Sequence, residues 1–231
     1  MIRRDYILRM IQEFMEALSR IAALKRGQKW QEATVVLDEE FNRLVGAGAP
    51  AIAKLSETEL LARLTQDGPT QVVRHKVMLL TALLKEAGDV AATQDRVEES
   101  RECYLKGLHL LLEVVGANDV AEIPEFVPKI EEFVEALDDS PLPWRTRVLL
   151  MQHAERTGQW GRAEDLLYSL LDAQPGHPDA LDFGIKFYER LRGQSDTALE
   201  AGNLPRAEIE SALGDLRRRR AAVGVSTPNS G

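Results

Sequence analysis

The side chains best suited to chemistry lie scattered through this 231-residue chain. Its four histidines, His75, His109, His153 and His177, offer no His-Glu-x-x-His and no i, i+4 pair that would set two imidazoles on one helical face for a metal. No metal site and no cofactor is expected. The one cysteine, Cys103, stands six residues before His109, which is not one helical face, so a nucleophilic dyad would need partners from elsewhere in the fold. Eight carboxylates crowd the stretch Asp119 to Asp139 against Lys129 alone, without the spacing of a calcium loop. Gly46-Ala47-Gly48 and Gly158-Gln159-Trp160-Gly161 follow no strand and lack the lysine and hydroxyl of a nucleotide loop, so both are expected to terminate helices. The chain is not expected to be an enzyme.

Composition narrows the classes further. A formal net charge of -8 argues against nucleic acid as the main partner, because phosphate binding draws its affinity from neutralising lysines and arginines. The basic block Arg217 to Arg220 suits a helix C-terminus, where cations complement the backbone dipole. Arg3 and Arg4 oppose that dipole near a helix start, which points to docking on an acidic surface such as the chain's own 119–139 segment. The longest apolar run, Val77 to Leu84, falls far short of the roughly 20 residues that span a bilayer, so no membrane span is expected. A single cysteine and an opening that interleaves charge with apolar residues are compatible with a reducing compartment, and the cytoplasm is the expected location.

The elements that must position these residues read as helical throughout. Ile7, Ile11, Phe14, Leu18 and Ile21 recur at spacings of four and three beside a second stripe of Met10, Phe14, Ala17, Ile21 and Leu24, which predicts one broad apolar face over 2–26. That face is wide enough to predict homo-oligomerisation if the rest of the chain leaves part of it bare. Helices are predicted over 30–45, from the capping box Ser56-Glu57-Thr58-Glu59 to about 66, over 72–87 with Gly88 as its end, from Thr93 or Asp95 to 115, and over 128–137. Asp67-Gly68-Pro69 reads as a break, and Ser140-Pro141 as the cap of the next helix. No alternating run is long enough for a strand, so the fold class is all-α.

Three stretches share one turn. Arg156-Thr157-Gly158-Gln159-Trp160-Gly161-Arg162-Ala163 is similar to Arg26-Gly27-Gln28-Lys29-Trp30-Gln31-Glu32-Ala33 with one residue of slippage, and Ala201-Gly202-Asn203-Leu204-Pro205-Arg206-Ala207 repeats the glycine-to-alanine spacing, so in each the glycine is expected to end a helix and the alanine to lie where the next helix crosses close to it. With Trp144 at the first position, Leu150, Gly158, Ala163 and Pro175 fall where tetratricopeptide repeats carry their leucine, turn glycine, close-packing alanine and terminal proline, and Ala180, Leu181 and Tyr188 continue the register. A more degenerate unit places Ser100, Tyr104 and Gly107 at the corresponding positions. The chain thus resembles the tetratricopeptide class. Its opening, Met1-Ile2-Arg3-Arg4-Asp5-Tyr6-Ile7-Leu8-Arg9-Met10-Ile11, also resembles the start of a bacterial family of uncharacterised proteins.

The resemblance implies antiparallel helix pairs stacked as a right-handed solenoid of about nine or ten helices. It implies a single helical-repeat domain over 1–221, made of N-terminal helices (1–67), degenerate repeat helices (70–139) and the clearest repeats (141–221), with a 222–231 tail. It also implies a role in binding a protein or peptide, because the first helix of each pair lines a concave face in that class. On those positions Arg145, Gln152 and Arg156 would meet a partner from one unit, and Asp182 and Lys186 from the next. Val148 and Leu149 stand where a carboxylate clamp would need polar residues, so a free peptide C-terminus is not the expected ligand.

Overall fold

A computed structural model describes residues 2–52, 54–65, 70–116, 123–137 and 140–225. Among the described residues there are no strands and twelve helices, rather than nine or ten. The chain divides into two compact units, 1–141 and 142–231.

The first unit contains α1 (Ile2–Arg26), α2 (Trp30–Val45), α3 (Ala49–Ile52), α4 (Glu57–Thr65), α5 (Thr70–Thr93), α6 (Val97–Gly116) and α7 (Ile130–Leu137). At its centre is α5, which packs on α1, α2, α4 and α6. That placement explains the unbroken buried run Val77 to Leu84, since a helix surrounded by others needs no polar face. Thr81 is accommodated there because its hydroxyl donates to the Val77 carbonyl at 2.9 Å. The α1 stripe is used as its periodicity requires: Phe14, Ala17 and Ile21 are buried against the core.

The second unit contains α8 (Trp144–Arg156), α9 (Trp160–Ala173), α10 (Pro178–Leu191), α11 (Asp196–Ala201) and α12 (Arg206–Val225). Helix α8 pairs with α9, and α10 pairs with α12. Ala163, Leu167, Leu181, Phe187, Tyr188 and Leu213 fill its core. The short α11 interrupts the connection from α10 to α12, where Arg206 donates to the carbonyls of Arg192 and Gln194 at 3.1 and 2.6 Å and fastens the loop.

One turn recurs four times among the described residues. Gln28, Asp95, Gly158 and Asn203 adopt left-handed φ values of 56°, 57°, 75° and 57°. The N–H of each donates to the carbonyl three residues back, and the next N–H donates to the carbonyl five residues back: Lys29 to Leu24, Arg96 to Ala91, Gln159 to Ala154 and Leu204 to Leu199, at 2.9 to 3.0 Å. These are Schellman caps, which satisfy the orphan carbonyls of the preceding helix. In the first three, the following helix starts two residues after the left-handed position. The fifth residue after it is Ala33, Ser100 or Ala163, each buried.

This common frame resolves the slippage between the 27–33 and 158–163 segments, since Gln28 rather than Gly27 matches Gly158. It also corrects three sequence expectations. Gly88 does not end a helix; α5 continues to Thr93, and a Cβ at 88 would lie 2.4 Å from the Tyr104 ring, so the glycine is there for close packing. Ser140 does not cap α8, which starts at Trp144 behind Pro143, because a proline disfavours helical geometry in the residue before it. Ala207 is exposed, whereas Ala163 is fully buried. Asn203 rather than Gly202 is the left-handed residue, which moves the frame by one, and α12 starts one residue later still behind Pro205, so Ile209, whose N–H makes the first full-turn bond, to Pro205, takes the buried place instead. The helix then runs to Val225, past the expected end at 221. The expected break at 67–69 lies outside the described residues.

The Ser56–Glu59 capping box forms as predicted. The Ser56 N–H donates to the Glu59 carboxylate at 2.8 Å and the Glu59 N–H donates to the Ser56 hydroxyl at 3.3 Å. These bonds hold the Glu59 carboxyl below its usual range, the backbone N–H being the larger cause.

Candidate partner-binding surface

On α8, Arg145, Gln152 and Arg156 are spaced at seven and four residues, which puts them along one side of the helix, and all three are exposed. On α10, Lys186 is exposed. A two-point ion pair ties the two helices: Arg190 donates from Nε and Nη2 to the Glu155 carboxylate at 2.7 and 2.8 Å. Asp182 is placed differently. Arg220 of α12 donates to its two oxygens at 2.8 and 3.3 Å, so this carboxylate is engaged by the chain itself. Arg217 meets Glu189 of α10 at 2.8 Å in the same way. Two members of the 217–220 block therefore brace α12 on α10. Reading charge as a complement to the dipole missed these pairs, because they join residues 38 and 28 positions apart. Among the five expected contact residues, the exposed charged ones are Arg145, Arg156 and Lys186.

Two tyrosine–carboxylate contacts set the electrostatics of the interior. In the first unit, Asp89 accepts from Tyr104 Oη at 2.8 Å, Lys85 Nζ at 2.7 Å and Lys25 Nζ at 2.9 Å, and Lys25 also reaches Glu86 at 2.7 Å. Burial pushes the Asp89 carboxyl up, but the hydrogen bonds and charges of Lys85 and Lys25 outweigh it and hold it below the usual carboxylate range. In the second unit, Tyr188 donates to Glu164 at 2.6 Å with no lysine in reach of that carboxylate among the described residues, and burial raises Glu164. Both phenols are pushed up, by burial first and then by their carboxylate partners.

Cys103 and His109, two of the groups most open to a chemical reading, are packed within the first unit. Burial pushes the Cys103 thiol up to about 12, which keeps it protonated and poorly nucleophilic at neutral pH. His109 is buried on α6 with Nε2 3.5 Å from Glu113. The other histidines lie on α5, on α8 and before α10. Among the described residues no group of three or more histidine, cysteine, aspartate or glutamate side chains is placed to hold a metal ion, and no described helix is long and apolar enough to cross a membrane. The side chains of Arg3 and Arg4, with 117–122 and 138–139 of the acidic segment, lie outside the described residues, and so does the docking expected between them.

A family model spans residues 1–221 and so reaches into both units. The chain belongs to the DUF6483 family, a family of unknown function. The match agrees with an all-helical chain whose opening resembles uncharacterised proteins, and it brings no activity with it. No curated protein and no solved structure matches this DUF6483 chain.

Proposed function

We propose that the chain is a non-catalytic protein-interaction module of tetratricopeptide-like stacked helical hairpins, acting in the bacterial cytoplasm, and that an acidic partner segment lies along α8 and α10. The observation that carries this reading is the Schellman turn repeated four times with a small buried residue five positions on in three of them, the local device that lets two helices pack closely as a hairpin. The Glu155–Arg190 pair supports the stacking, since it joins the first helices of two successive hairpins. Exposed Arg145, Arg156 and Lys186, with Gln152 between the arginines, are the positive groups an acidic segment would meet on the two helices. Electrostatic complementarity of that kind selects a partner and speeds its encounter.

The test is charge reversal of Arg145, Arg156 and Lys186 to glutamate. Proteins captured from a lysate by the triple variant and by the parent chain are compared, with circular dichroism as the control for folding. Loss of the acidic partners from the captured set is expected. An unchanged set from a folded variant removes the assignment.

A second reading has its own support. On α1, Leu8 and Met15 are 56% and 40% exposed, with Ile11 and Leu18 half-buried beside them, so part of the apolar face is bare. Bare stripes of this kind favour self-association. Sedimentation equilibrium at several concentrations should then show mass action that Met15→Glu abolishes. A monomer at micromolar concentration rejects it.

A further inference from the structure

A cleft of about 300 Å³ opens in the first unit where α1, α2 and α5 meet. Its floor is apolar: Phe14 and Leu79 are 2% and 1% exposed, and Met10 and Leu44 are half-buried beside them. Its rim is charged. Arg43 spans the rim from α2, with Nη1 3.2 Å from Glu13 and Nη2 2.6 Å from Glu40, so one guanidinium engages both carboxylates. Arg9 of α1 and Lys76 of α5 also line the cleft, and neither forms an ion pair among the described residues. Three cations and two carboxylates leave one positive charge over an apolar floor.

This arrangement is selective. A charged or polar head is drawn by Arg9 and Lys76, while the floor favours burial of an apolar chain by removing its surface from water. A dianion such as a phosphate monoester would exceed the single positive charge left over and face Glu13 and Glu40. An amine would meet Arg9 and Lys76 first. The volume sits at the small end of ligand pockets, roughly 300 to 1,000 Å³, which favours a small molecule over a bulky one. Burial raises the Glu40 carboxyl against the pull of Arg43.

We propose that this cleft binds a monocarboxylate carried on a short apolar chain, with the carboxylate held by Arg9 and Lys76 and the chain laid over Met10, Phe14, Leu44 and Leu79. The site is separate from the α8–α10 face and does not depend on the interaction reading.

Octanoate is the probe, titrated into the full chain by isothermal calorimetry, with octylammonium as the control of opposite charge. Saturable one-to-one binding of octanoate and none of octylammonium over the same range is expected. Lys76→Gln should weaken octanoate about tenfold, the loss of one charge-assisted contact, without changing the helical circular dichroism. If Lys76→Gln does not fold, Arg9→Gln on the outer rim reads the same effect. Absence of saturable octanoate binding, equal binding of octylammonium, or unchanged affinity in the folded variant overturns the proposal.

Discussion

The two units solve one packing problem with different residues. In 142–231 the turn after α8 lies against the turn before α12: the Gly161 N–H donates to the Gly202 carbonyl at 2.9 Å, and Gly202 sits on the Trp160 ring. Counted from the left-handed residue, Gly161 is three positions after Gly158 and Gly202 one position before Asn203. The corresponding places in 1–141 are Gln31 and Gln94, and there the two turns border an open notch of about 330 Å³ lined also by Gln28, Lys29, Trp30 and Glu32. Two glycines let backbones touch, whereas two glutamines stand in the way. Trp160 is consequently 9% exposed, while Trp30 is only half-buried. Close contact between turns is thus decided by side-chain size at two positions that share a turn geometry.

The largest expected effect breaks the glycine contact. A Cβ on Gly202 would lie 2.4 Å from the Trp160 ring and 2.6 Å from the Gly158 carbonyl, and one on Gly161 would lie 2.7 Å from the Asn203 carbonyl. Gly202→Ala should therefore destabilise the second unit by about 2 to 3 kcal/mol, as overpacking against backbone does. Gln94→Ala, its counterpart, should stay within about 0.5 kcal/mol, as surface substitutions do. Urea unfolding followed by hydrogen exchange in α9 and in α5 reads the two units separately.

Next in size is the polar interior. Asp89→Ala leaves Lys85 and Tyr104 without their carboxylate and Lys25 with Glu86 alone, at a cost of about 2 kcal/mol in the first unit. Protection of α5 amides checks it. Smaller still is the test of the left-handed turns, where side chains other than glycine store backbone strain of about 1 kcal/mol. Gln28→Gly should raise stability by up to that amount, and Gly158→Ala should lower it similarly; midpoints of chemical unfolding decide both.

The smallest effect is one of sign. Asp89 is depressed in the folded state, so the unfolded chain binds its proton more tightly; the stabilisation is present above the ordinary aspartate range and is lost as pH falls below it. Glu164 is raised, so the folded chain binds its proton more tightly; that stabilisation is present below the ordinary glutamate range and is lost as pH rises through the raised value. Asp89→Asn should flatten the acid loss of protection in α5, and Glu164→Gln should flatten the opposite trend in α9. Parallel pH trends in the two units would remove the contrast.

Much of the helical layout was legible because its causes are local. The α1 stripe, the Ser56–Glu59 box and the Gly158-to-Ala163 spacing each lie within a few turns of chain, where periodicity and caps act directly. The left-handed positions Gln28, Asp95 and Asn203 were not legible within their turns because glycine is the usual mark of such a cap, and these three carry side chains there. Ala207 misled for the same reason: its spacing is counted from Gly202, but Asn203 is the left-handed residue, and Pro205 shifts the helix start by one residue more.

The amino-acid sequence by itself determined the all-helical class, the approximate ends of most helices and the apolar faces that meet, because these follow from backbone caps and a 3.6-residue period. Tertiary structure alone decided which charges meet. Lys25 and Asp89 are 64 residues apart, Asp182 and Arg220 are 38 apart, and nothing in the spacing of either pair distinguishes it from other lysines, arginines and carboxylates on the same helices. Ion pairs depend on distance in space, which helix packing sets, and packing also made Asp182 a brace for α12 and left Arg9 and Lys76 around an apolar cleft.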